Sequence, residues 1–140
     1  MATTTVSSIF GTPRTRVAQN LSAVSLTLTD SDSGIEQNMA TDAKVYTLPL
    51  ITSSTLGLTL IFRNTGADGN NLITISPNAL DGINGTIANA AADSVAGGVV
   101  NKNLVNTKAT SNKGDFVVLT AVSLTEWYIT GGVGIWASEA

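Results

Sequence analysis

Apolar and polar residues alternate along this chain in short runs divided by Gly, Asn, Asp and Ser, a pattern of strands and turns rather than helices. The clearest pair of runs lies in Gly114 to Trp136, GDFVVLTAVSLTEWYITGGVGIW. Asp115 to Val122 is β-branched and apolar, and Thr125 to Thr130 follows after only Ser123 and Leu124. So short a connection predicts an antiparallel hairpin. Gly131, Gly132 and Gly134 are expected to break its ladder before a closing Ile135 and Trp136. The first run is apolar on both faces: Phe116, Val118 and Val122 on one, Val117, Leu119 and Ala121 on the other. A strand buried on both sides needs two covers, which in a small protein implies a second sheet plus a neighbouring subunit.

Leu56 to Asn64 (LGLTLIFRN) is the next strongest strand, with Leu56, Leu58, Leu60 and Phe62 on one face. The turn cluster Thr65 to Asn71 then leads into Leu72 to Ser76, which predicts a second hairpin. Ala23 to Thr29 alternates as a half-buried strand should, and Asp30 to Gly34 turns the chain. Lys44 to Leu50 is a further strand, whose Pro49 favours an edge or strand-end position. Asp81 to Ile87 predicts a short strand, Ala88 to Gly98 has room for one helical turn, Val99 to Val105 predicts a strand, and Asn106 to Lys113 a loop. No internal repeat or heptad is present. About eight short strands imply an all-β fold, an antiparallel β-sandwich or jelly-roll-like domain over residues 21–140. Residues 1–20, rich in Thr and Ser with Pro13 and no acidic residue, predict an extended N-terminal arm.

Composition sharpens this picture. Thr, Ser and Asn supply 45 of the 140 residues, whereas only 17 are formally charged, a mixture of strand formers and turn formers. Net charge is −3, with no basic patch of the kind that nucleic acid requires. Positive mean hydropathy without a membrane-length apolar run implies surface hidden against other copies or a larger assembly. The N-terminus lacks the basic and apolar regions of a secretory signal, so synthesis in the cytosol is expected.

The chain contains neither Cys nor His. Disulfides, thiolate metal sites and the usual general base are therefore absent. Serine acyl transfer lacks both G-x-S-x-G and a base, and no glycine cluster carries the Lys and Ser/Thr of a phosphate loop. Asp81, Asp93, Asp115 and Glu126 could supply glycosidase carboxylates, but nothing in their spacing makes a pair converge. Asp30, Ser31, Asp32, Ser33, Gly34, Ile35 and Glu36 resemble the start of a calcium loop without its twelfth-position Glu. An Asx-type turn is the better reading. No enzymatic activity, metal or cofactor is expected. Trp127 and Tyr128, adjacent on one strand, must face opposite sides. With Phe116, Val118 and Trp136 they are expected to be core or subunit anchors, the alternative being a platform for sugar rings. Asn20-Leu21-Ser22 and Asn84-Gly85-Thr86 match the glycosylation triplet by chance.

The succession V-Y-T-L-P (45–49), G-L-T-L-I-F-R-N (57–64), I-T-I-S-P (73–77), D-G-I-N-G (81–85) and G-D-F-V-V-L…E-W-Y-I-T-G-G…G-I-W resembles small structural proteins of tailed-phage virions. The likeness is to capsid decoration (cement) proteins of cyanophage type and to related β domains of phage fibres, over about residues 44–136. It implies a homotrimeric β-sandwich on the outer capsid surface, bridging neighbouring major capsid protein subunits. Under that reading Ile9, Phe10, Arg14 and Arg16 of the arm are the expected capsid contact. The rival expectation is a glycan-binding head of a short tail or head fibre, recognising host glycan.

Overall fold

The computed structural model describes residues 18–20 (backbone only), 24–89 and 93–139. It is all-β, and no α-helix occurs among the described residues. The strands are β1 (Ala18–Asn20), β2 (Leu26–Thr27), β3 (Glu36–Met39), β4 (Lys44–Thr47), β5 (Thr59–Asn64) and β6 (Ile73–Ser76). They continue as β7 (Gly82–Ile87), β8 (Ser94–Val100), β9 (Leu104–Asn106), β10 (Phe116–Ser123), β11 (Glu126–Val133) and β12 (Ala137–Ser138). A seven-stranded sheet has the order β1-β3-β5-β10-β11-β7-β8, and a five-stranded sheet the order β12-β9-β6-β4-β2.

From β1 to β7 each successive strand falls in the other sheet. Strands two apart in sequence therefore become neighbours and run parallel: Ala18 beside Glu36, Glu36 beside Ile61, Leu26 beside Tyr46, Lys44 beside Ile73. The sheets are thus mixed, not antiparallel as the turn spacing predicts. The second expected hairpin does not form either, since β5 and β6 lie in different sheets. Its intervening loop turns the chain between sheets through buried side chains. Asn64 Oδ1 accepts from Gly66 N at 2.9 Å and from Asn71 Nδ2 at 3.3 Å. Asn71 Nδ2 also donates to Met39 O at 3.4 Å.

The predicted C-terminal hairpin forms as β10 and β11, joined by Leu124 and Thr125. Gly131 and Gly132 do not end it. The ladder continues through Val118–Gly131, Val117–Gly132 and Phe116–Val133, past a bulge that leaves Thr130 without an opposite residue. The bulge keeps Ile129 and Gly132 both turned inward, where a Cβ at Gly132 would crowd Ile87. In the stretch expected to hold a helical turn, Ser94–Val100 is instead a strand, antiparallel to β7. The strand expected over residues 99–105 is split by a turn at Asn101, whose φ of 59° is left-handed. β3, with sequence EQNM, has no strand propensity of its own and is held by parallel partners on both sides. Pro49 lies beyond the end of β4, an interior strand.

One core unites the two sheets. Leu60, Phe62, Val117, Leu119, Ala121 and Trp127 of the first pack with Tyr46, Ile73, Ile75 and Leu104 of the second. Tyr46 and Phe62 meet across it with ring centroids 6.2 Å apart. Leu56, expected on the buried face of β5, lies before that strand begins and is exposed. At one end a polar chain bridges the sheets. Asn64 Nδ2 donates to Asn106 Oδ1, and Asn106 Nδ2 donates to Asp115 Oδ2 and to Ile135 O, both at 3.0 Å. Asn112 N adds a second donor to that Asp115 oxygen at 2.9 Å. The carboxylate fills the space above Gly134, which holds φ +103° and where any Cβ would collide with it.

Candidate assembly surface

Because side chains alternate, the strands that send Val117, Leu119 and Trp127 inward must present another set outward. On the outside of the seven-stranded sheet, Thr59, Thr120, Tyr128, Asn84 and Gly97 form one cross-strand row. Glu36, Ile61, Val118 and Gly131 form a second, and Asn38, Arg63, Phe116 and Val133 a third. The surface combines Thr, Asn, aliphatic, Gly and aromatic residues with the Glu36 and Arg63 pair. Its hydroxyls link to one another, Thr59 to Thr120 at 3.1 Å and Thr120 to Thr130 at 3.2 Å.

The charges on these rows are mostly neutralised. Arg63 Nε meets Glu36 Oε1 at 2.7 Å, its guanidinium lies 4.8 Å from the centre of the Phe116 ring, and its Nη1 donates to Gly114 O. The remaining carboxylate is Glu126, whose Oε2 accepts from Tyr128 Oη at 3.3 Å. Around the face stand exposed Val122 and Leu124 at the hairpin tip, Val133 on β11, and Val95, Val99 and Val100 on β8. Few charges, paired where present, and a rim of exposed valines characterise surfaces that meet other protein surfaces rather than water.

The residues singled out from the sequence separate into two groups. Trp127 and Trp136 are enclosed in the core, 0% and 1% exposed, which removes both as sugar platforms. Trp136 N donates to Ser94 Oγ at 3.2 Å and its Nε1 to Val133 O at 3.2 Å, so it closes the seam between β8 and β12. Phe116, Val118 and Tyr128 belong to the outward face and are half-buried. The second face of β10 is therefore only partly covered within one chain, and Val122 is 55% exposed. Ile9, Phe10, Arg14 and Arg16 lie outside the described residues.

The acidic turn at Asp30 is a single 3-10 turn, not an open ligand loop. Asp32 Oδ2 accepts from Thr29 N at 2.8 Å and Thr29 Oγ1 at 3.1 Å, so its carboxylate caps the turn. Among the described residues no three acidic groups gather as metal ligands. The four glycosidase candidates are each held differently. Asp115 belongs to the amide chain, Glu126 to Tyr128, and Asp93 is exposed beside Ser94. Asp81 is fully buried, and its Oδ2 accepts from Ile51 N at 2.9 Å. Burial pushes the Asp81 carboxyl above the ordinary value, partly offset by that N–H. Burial likewise raises the Tyr46 phenol.

The sequence did not single out the amide chain of Asn64, Asn71, Asn106 and Asp115, because each residue type there is a common turn former. It also missed a groove of about 400 Å³ along the seam between β8 and β12, lined by Asp93, Ser94, Val95, Ile135, Trp136 and Ala137 among others. No helix among the described residues is long and apolar enough to cross a membrane. No protein-family model matches the chain, and no curated protein is significantly similar to it.

Proposed function

We propose that the chain is a structural virion protein, a homotrimeric capsid decoration (cement) protein folded as a two-sheet sandwich and carried on the outer shell of a tailed phage. The single observation that supports this reading is the outward face of the seven-stranded sheet, where Phe116, Val118, Thr59 and Thr120 lie half-buried inside a rim of exposed valines. A surface of that kind gains free energy when another protein covers it, at roughly 25 cal/mol per Å² of apolar area removed from water. Mechanically, such a protein adds buried contact across the joints between major capsid protein subunits and raises the cost of opening them. No catalytic step is assigned to it.

The solution mass of the pure protein is the first test: a trimer of the 14.3 kDa chain has a mass of about 43 kDa. Co-sedimentation with phage heads is the second. A monomer that leaves the heads in the supernatant would overturn the reading. The glycan-binding alternative now rests on Tyr128, which carries Glu126 beside it on the outward face while both tryptophans are enclosed. A glycan array on which binding appears and is lost in Tyr128→Ala would favour it.

A further inference from the structure

We infer that one end of the sandwich, where four leucines stand exposed, docks on a partner protein whose surface has an apolar centre bordered by basic side chains. The inference rests on the decoration reading, which makes that partner the shell and leaves the outward sheet face for other copies.

Leu50, Leu56, Leu80 and Leu124 are 40–66% exposed, the only leucines so exposed among the described residues. All four lie at the end of the sandwich that holds the β10–β11 turn. Hydrogen bonds tie their loops into a closed ring. Ile51 N donates to Asp81 Oδ2 at 2.9 Å, Gly82 N to Thr125 O and Gly57 N to Ala121 O, the last two at 2.8 Å. Within the first loop Thr55 Oγ1 donates to Leu50 O at 3.3 Å. Each leucine thus sits on backbone that is already fixed, so covering it costs little ordering. Together they present on the order of 300 Å² of apolar surface, the scale of patches that mark interaction sites. That is less than half of the ~800 Å² that each partner gives to a standard interface. The rest of such an interface comes from a polar border.

The charge of that border selects the partner. Gly34 N bonds to Thr59 O and Glu139 N to Asn103 O, which brings the Asp30 turn and Glu139 to the leucine end. Asp30, Asp32, Glu126 and Glu139 therefore lie around it, and Lys102 is the one basic residue there among the described residues. At the opposite end Lys44, Lys108 and Lys113 balance Asp42, Asp68 and Asp93. Two identical leucine ends brought together would set one acidic border against another, which disfavours a second copy as the occupant. An anionic bilayer or a nucleic acid is disfavoured for the same reason. Basic side chains around an apolar hollow satisfy both parts of the surface. The carboxylates then steer the approach, and the leucines supply the burial.

Co-sedimentation of the full chain with phage heads tests the surface. Leu80→Ser combined with Leu124→Ser should raise the concentration needed to half-occupy the heads about tenfold or more, with solution mass and urea midpoint unchanged. Asp30→Lys combined with Glu139→Lys should raise it severalfold, and added salt should weaken the parent chain's binding. Lys113→Ser, at the opposite end, should change nothing. A parent chain that binds heads while the serine variant binds equally well overturns this inference and leaves the decoration reading standing. A serine variant that falls from trimer to monomer also overturns it, because the leucines then join copies. Binding of the parent to uncharged phosphatidylcholine vesicles, lost in the serine variant, overturns it in favour of a bilayer. Heads that do not take up the parent chain overturn both.

Discussion

The two faces of the β10–β11 hairpin are written in nearly the same alphabet and have opposite fates. Inward, Val117, Leu119, Ala121 and Trp127 are at or below 1% exposure. Outward, Phe116, Val118 and Tyr128 are half-buried, and Thr120 bonds to its neighbours across the sheet. Apolar residues on both faces of a strand do not mean burial on both faces within one chain. The fold covers one of these faces, and on the proposed reading another protein covers the other. The inner face should therefore govern stability, and the outer face association.

The largest effect that would break this division is on the inside. Trp127→Ala should cost about 3–5 kcal/mol, the range for emptying a large buried aromatic site, read as a lowered urea midpoint. A loss below ~1 kcal/mol would mean that the inner face is not the core. Next comes the amide chain that ties the sheets. Asn106→Ala strips Asp115 of a donor and leaves the Asn64 amide without its acceptor, at a cost of about 2–3 kcal/mol in the same assay. On the outside, Val122→Lys and Val133→Lys should each change the stability of the single chain by no more than ~0.5 kcal/mol. They should nonetheless shift the solution mass from trimer toward monomer. An unchanged mass would detach the outer face from assembly.

The smallest effect sharpens the inner side. Asp81 holds its proton in the folded chain to a higher pH than the unfolded chain does, because burial disfavours its charge. Protein stability is therefore reduced as pH rises from the ordinary carboxyl value through that raised value, and the deficit is complete above it. Asp81→Asn removes the titration. Its denaturation midpoint relative to the parent chain should rise between acid and neutral pH and then level off. A difference that stays flat with pH would show that Asp81 is not the titrating group.

Much of this division could be read from the residues, and some could not. The hairpin at residues 115–130 was legible because β-branched residues and a two-residue connection specify it locally. The inward face of β5 was legible from the alternation of Leu58, Leu60 and Phe62. Local chemistry misled at Gly131 and Gly132, where the bulge absorbs the glycines instead of ending the strand. It also misled between Asn64 and Leu72, where a turn-rich segment returns the chain to the other sheet rather than to its own. β3 was invisible, since Glu36 to Met39 become a strand only when β1 and β5 flank them. Of the candidate surface, Phe116, Val118 and Tyr128 were in view from the start, but the groove at β8 joins residues more than forty positions apart and has no local signature.

The alternation of β1 to β7 between the sheets sets the time course on which this chain acquires its structure. Every parallel pairing in the first half joins strands with a strand of the opposite sheet between them, so each requires a long loop to close before any contact stabilises it. The β10–β11 hairpin requires no such closure and can form in ~1–10 μs, whereas domains ruled by distant pairings take milliseconds to seconds. The hairpin is then present throughout the search, with the inner face of Val117, Leu119 and Trp127 uncovered until β5 and the second sheet arrive. During that interval both of its faces are adhesive. On the proposed assembly, the slow half must come into place before copies of the chain find one another.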